Sequence, residues 1–88
     1  MTIKITKMGK WKKVRDDEYL EVWYRYYKIE GDKNIQVAIF TEYKEKPKFK
    51  EYWIGYYDSL GQQRGYGYSW KTFKEIKPEY KKLFIKFK

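Results

Sequence analysis

Three runs of β-branched and aromatic residues, at 19–29, 35–43 and 49–57, follow one another with only short turn-forming clusters between them. This spacing constrains the fold more than any other feature. Val, Ile, Thr, Tyr, Phe and Trp favour strands. Connectors as short as Glu30–Asn34, with Gly31 and Asn34 available for positive φ, join antiparallel neighbours rather than parallel ones. Pro47 breaks the chain between the second and third runs. Residues 2–6 alternate with period two and predict a further short strand, and Asp16-Asp17-Glu18 predicts a turn. Asp58-Ser59-Leu60-Gly61 is a turn signal, and 63–68 predict an edge strand weakened by glycine.

The C-terminal part is helix-prone but interrupted. Ser69 is placed to cap a helix at Trp70, and Thr72 with Glu75 matches a capping box. Pro78 either begins a second helix or kinks a single one. Tyr80, Leu83, Phe84 and Phe87 recur at steps of three and four, the spacing of an amphipathic helix. The alternative is a closing strand with Leu83, Ile85 and Phe87 inward. The expected fold is α+β: an antiparallel β-meander of four to five strands with one or two short C-terminal helices packed on one face, in a single domain over residues 1–88.

Side chains two apart share a strand face. The aliphatic positions Leu20, Val22, Ile35, Val37 and Ile39, with Tyr24, Tyr26, Tyr52, Ile54 and Tyr56, are expected to form the core face beneath the C-terminal helix. The opposite face would then present Trp23, Arg25, Tyr27, Phe40, Trp53 and Tyr57. An open sheet face carrying aromatic rings and arginine is a surface on which bases stack.

Composition sharpens that reading. Twenty of the 88 residues are Phe, Trp or Tyr, and the net charge is +9. Residues 1–28 carry eight basic and four acidic side chains, 29–58 five and six, and 59–88 eight and two. The ends hold the whole excess and would form one basic face if they met in the fold. Lysines replace phosphate counterions, and flat rings stack on bases. The chain has one alanine and is rich in Lys, Tyr and Ile, as expected from an AT-rich genome such as that of a phage or mobile element.

Enzyme chemistry finds little support, and the chain is expected to have no catalytic residues and to need no cofactor. It contains no His and no Cys. This removes the usual neutral-pH base, thiolate nucleophiles, disulfides and thiolate metal sites. The glycines between Gly61 and Gly67 read as a turn and a weak strand rather than a phosphate cradle. Asp16, Asp17 and Glu18 read as an acidic turn rather than a magnesium site. Residues 1–13 alternate in polarity, unlike a signal peptide, and no stretch approaches the roughly 20 apolar residues of a membrane span. The expected location is cytoplasmic, with no membrane partner.

The stretch Tyr52–Ile76 contains an aromatic strand, Asp58-x-x-Gly61, a strand bearing Arg64, and Tyr68-Ser69-Trp70-Lys71 leading toward a helix. It resembles the N-terminal arm-type DNA-binding domain of tyrosine-recombinase integrases of phages and conjugative transposons. That domain is a three-stranded antiparallel sheet backed by a C-terminal helix, and it lays its sheet in the DNA major groove. The resemblance implies sheet residues near DNA at Trp53, Tyr57, Arg64 and Tyr66, with phosphate contacts from Lys71 and Lys74. Pro78 interrupts the helix the family carries, and no recombinase catalytic domain follows. The resemblance therefore implies a free-standing DNA-binding accessory protein.

The sequence thus points to a small basic nucleic-acid-binding protein, with duplex DNA favoured and RNA left open. Its candidate binding residues are Trp23, Arg25, Tyr27, Lys48, Lys50, Trp53, Tyr57, Arg64, Tyr66, Lys71 and Lys74. A module that docks on a host protein is the alternative, because exposed aromatics with arginine also make protein hot spots. A homodimer covering the aromatic face is a third arrangement.

Overall fold

The computed structural model describes residues 4–46, 49–57 and 63–88, with the backbone alone at 57 and 63–66. Five strands lie in chain order in one antiparallel sheet: β1 (Ile5–Asp16), β2 (Leu20–Ile29), β3 (Ile35–Tyr43), β4 (Lys50–Tyr57) and β5 (Gln63–Trp70). The expected meander is present with the upper number of strands. The shortest dimension of the molecule is 21 Å. That is room for the sheet and one further layer, since packed layers lie about 10 Å apart.

The first strand is much longer than the short segment expected at 2–6. It continues through the lysine-rich stretch because two register shifts, between Met8 and Lys12 and between Lys13 and Arg15, absorb the irregularity. Gly9, at φ 78°, supplies the positive φ in the first of them. The β1–β2 turn is closed by Asp17, whose Oδ1 accepts hydrogen bonds from the Tyr19 and Leu20 N–H groups at 2.8 and 3.0 Å. Gly31, at φ 88°, turns the β2–β3 hairpin. The turn expected at Asp58–Gly61 lies outside the described residues.

Register fixes which side chains share a face. Lys13, Trp23, Phe40, Tyr52 and Trp70 form one row across all five strands. Arg25, Ala38, Ile54 and Tyr68 form the next row on the same face. The C-terminal segment covers this face. Its Ile76, Tyr80, Leu83 and Phe84 are buried against Trp11, Tyr27, Phe40, Tyr52 and Ile54. Phe87 stacks on Phe40 at 3.9 Å with 11° between ring planes, and its carbonyl accepts a hydrogen bond from the Tyr52 hydroxyl.

The expected face assignment is therefore reversed on β2 and β3. The C-terminal layer covers Trp23, Arg25, Tyr27 and Phe40, and leaves Leu20, Val22, Tyr24, Ile35 and Ile39 outside it. On β4 the expected Tyr52 and Ile54 are buried, but they share their face with Phe40 and Ala38, not with the aliphatic row. The physical reason is area. A Phe, Tyr or Trp buries about 150–250 Å², more than the valines and isoleucines of the other face. The phenylalanines of the C-terminal segment pack there on the rings of Trp11, Phe40 and Tyr52.

The C-terminal segment is helical rather than a closing strand, but only in short pieces. A 3₁₀ turn at Phe73–Glu75, one α-helical turn at Pro78–Lys81 and a 3₁₀ turn at Ile85–Phe87 replace the expected amphipathic helix. Pro78 takes the first helical position, where its missing N–H costs nothing. Thr72, not Ser69, is the N-cap of the first turn, and its N–H donates to the Glu75 carboxylate at 3.2 Å. Ser69 and Trp70 remain in β5, held by pairing with Trp53 and Tyr52.

Candidate nucleic-acid interface

The two basic ends of the sequence meet. Trp11, at the middle of β1, is 7 % exposed, and its ring lies 5.8 Å from Phe84 and 4.8 Å from Phe87. β1 carries five basic side chains and one acidic one, and residues 71–88 carry seven and two. The remaining residues carry nine of each sign. All of the net charge therefore sits on one edge strand and on the layer packed beside it.

Local pattern places these charges. In the C-terminal segment Leu83 and Phe84 turn inward, so Lys81, Lys82, Lys86 and Lys88 stay at the periphery. Lys13 of β1 and Lys86 reach over the Trp23 ring from its two neighbours, 5.0 and 4.3 Å from the centroid. Lys81 and Lys88 approach the Phe73 ring at 5.8 and 5.9 Å. A cation over a ring is held by the ring's quadrupole. Trp23, Phe87 and Phe73 thus form a floor under a ridge of ammonium groups.

The ridge is weakly neutralised. Among the described residues the ion pairs are Lys13 with Asp16 and Glu21, Arg15 with Asp17, and Lys44 with Asp16. No lysine of 71–88 is in one. The Asp16 and Glu21 carboxylates hold the Lys13 ammonium above its ordinary pKa, chiefly through their hydrogen bonds. Lys44, and then Lys13, hold Asp16 low. Arg15, helped by the Tyr19 and Leu20 N–H groups, holds Asp17 at about 2. Asp16 and Asp17 are thus taken up by pairing, and among the described residues no lysine of 71–88 has a carboxylate partner.

The candidate residues read from sequence do not form one patch. Trp23 is half-buried under Lys13 and Lys86, and Arg25 lies 4.9 Å from the Trp11 ring. Burial lowers the Arg25 pKa, and its Nε has no hydrogen-bond partner among the described residues. Tyr27 is fully buried, so no base can stack on it. Trp53 pairs with Ile39 and belongs to the opposite, uncovered face, where its Nε1 donates to Glu51 at 2.9 Å. Trp53 was expected beside Trp23 and Phe40, but the register puts Tyr52 there.

Lys50 and Lys71 lie together in a cleft of about 480 Å³ that also takes in Tyr19, Tyr43, Phe49 and Glu51. Lys74 is exposed in the first 3₁₀ turn. Lys48 lies outside the described residues. So do the side chains of Tyr57, Arg64 and Tyr66, whose backbones lie in β4 and β5. The residues missing from the sequence reading are Lys13, Lys86 and Lys88. Their signal was the excess charge at both ends, but only the fold shows that the ends converge.

No helix of the described residues is long and apolar enough to cross a membrane. No protein-family model matches the chain, and neither a curated protein nor a solved structure matches it.

Proposed function

We propose that this protein binds nucleic acid, duplex DNA in preference, through the basic side formed by β1 and residues 71–88. The observation that carries the reading is that β1 and residues 71–88, the two segments that hold the net charge, pack together around Trp11, with Lys13 and Lys86 over one ring on the covered face. Lys81, Lys86 and Lys88 are its central phosphate contacts, and Lys74 extends it. The rings beneath are covered by the protein's own ammonium groups. Binding is therefore to the backbone rather than by base stacking, and its sequence preference is small. The resemblance of residues 52–76 to arm-type DNA-binding domains favours DNA over RNA. The cysteine-free sequence agrees with a cytoplasmic protein.

Fluorescence anisotropy with labelled duplex and single strands of about 20 nucleotides, over a series of salt concentrations, tests this reading. Tighter binding to duplex is expected, with an affinity that falls steeply as salt rises. Changing both Lys86 and Lys88 to Gln should reduce the slope of log K against log salt by about two. Absence of binding at low salt, or a slope unmoved by these changes, would reject it.

A further inference from the structure

The sheet face turned away from the C-terminal segment has no layer of the described residues over it. Its centre is a patch of Val22, Tyr24, Val37 and Ile39, which with Val14 and Tyr26 borders a depression of about 300 Å³. Val14 is 61 % exposed. The four strands β1–β4, about 4.8 Å apart, and eight residues at about 3.4 Å give a face of roughly 520 Å² in plane. That is below the roughly 800 Å² per partner of standard-size complexes and suits a weaker, reversible one.

The arrangement of charge on this face selects a second copy as its occupant. One row reads Arg15, Val22, Thr41, Glu51 across β1 to β4. The next reads Lys12, Tyr24, Ile39, Trp53. The basic side chains stand at the β1 end, where Arg15 also pairs through its Nε with Asp17, and the carboxylate stands at the β4 end. Glu51 accepts hydrogen bonds from the Tyr43 hydroxyl and the Trp53 Nε1, and no cation among the described residues pairs with it.

A two-fold axis parallel to the strands, between β2 and β3, keeps each row in place and exchanges its ends. It lays β1 over the partner's β4, with Arg15 facing Glu51 and Lys12 facing the Trp53 ring. It also lays β2 over β3, closing the aliphatic centre on itself. An axis across the strands would instead lay β1 on β1 and set like charges together. Residues 17–57, which supply most of the face, carry seven basic and eight acidic side chains, so two copies do not repel there.

We propose that the protein forms an isologous dimer through this face, as a two-sheet sandwich with aligned strands. The C-terminal segments lie on the outer sides. If the nucleic-acid reading holds, the dimer therefore presents two basic surfaces facing apart and can bridge two segments of duplex.

Sedimentation equilibrium over a concentration series, without nucleic acid, tests the dimer separately from nucleic-acid binding. Wild type should sediment as a reversible dimer. Arg15→Glu and Glu51→Arg should each weaken association by roughly tenfold or more, because each sets like charges together. The double variant should restore it. Circular dichroism at each step checks that the variants fold. A monomer at every concentration would overturn the proposal. So would a dimer indifferent to both single changes, or single-change losses that the double variant does not repair. If wild type stays monomeric and this face instead protects single-stranded nucleic acid or another protein, self-association is likewise rejected.

Discussion

The two faces of this sheet are built from the same strands, yet they solve opposite problems. The covered face is aromatic and accepts the C-terminal layer. It also buries polar atoms without partners: Trp11 Nε1, Arg25 Nε, Tyr27 OH and Gln36 Oε1 have none among the described residues. The uncovered face is more aliphatic and has no layer among the described residues, although Val37, in register between Tyr26 and Gly55, is only 2 % exposed. Apolar character alone therefore did not choose the inside. The side with the larger burial area did, and it tolerates several poorly satisfied polar groups in exchange.

The largest test of this contrast removes one ring from the covered face. Phe40→Ala should destabilise the fold by about 3–5 kcal/mol, because Phe40 packs on Tyr52 and Phe87 and is 1 % exposed. Ile39→Ala, its neighbour on the other face, should cost about 1 kcal/mol or less under dilute, monomeric conditions. Urea unfolding of both variants makes the comparison, and equal losses would break it.

Alkaline titration is the next test. Burial raises the pKa of Tyr27, Tyr52 and Tyr80 above the ordinary 10.0, and Tyr27 most strongly. A raised folded-state pKa means the stabilisation is complete below pH 10 and is lost as pH climbs toward the folded value. Stability should therefore fall steeply above pH 10, and Tyr27→Phe should flatten that fall. Melting curves read by circular dichroism at several alkaline pH values check it.

At neutral pH two of these tyrosines, Tyr52 and Tyr27, separate a satisfied hydroxyl from an unsatisfied one. Tyr52→Phe should cost about 1 kcal/mol, since the hydroxyl donates to the Phe87 carbonyl at 3.1 Å. Tyr27→Phe should be neutral or stabilising by up to about 1 kcal/mol, because it removes a buried hydroxyl that has no protein partner among the described residues. Chemical denaturation distinguishes the signs.

The smallest effect is at acid pH, at the turn outside both faces. Asp17 is held at about 2 against an ordinary 3.8. Its contribution is complete above pH 4 and is lost as pH falls through about 2. Asp17→Asn should lower the melting temperature slightly at pH 7 and make no difference below pH 2.

Much of the fold was legible in the residues. The second, third and fourth strands have nearly the bounds their composition predicts, because local β-propensity, turn residues and Pro47 agree there. Thr72 with Glu75 and Pro78 at a helix start were readable for the same reason. The long β1 was not, because a bulge at Gly9 preserves pairing where the alternation stops. Nor was the candidate interface. Lys13 and Lys86 are 73 positions apart in the chain and share the ring of Trp23 only through tertiary packing.

The sequence by itself determined the second to fourth strands, their antiparallel order and the charge excess at the two ends, because propensity, short connectors and composition are local quantities. Only the tertiary structure decided which face became the core, whether the basic ends met, and that Trp23 and Trp53 lie on opposite sides. Alternation divides each strand into two faces but does not say which is inside. That choice depends on the shape and area of the segment that arrives to cover one of them, and here that segment brings Phe84 and Phe87.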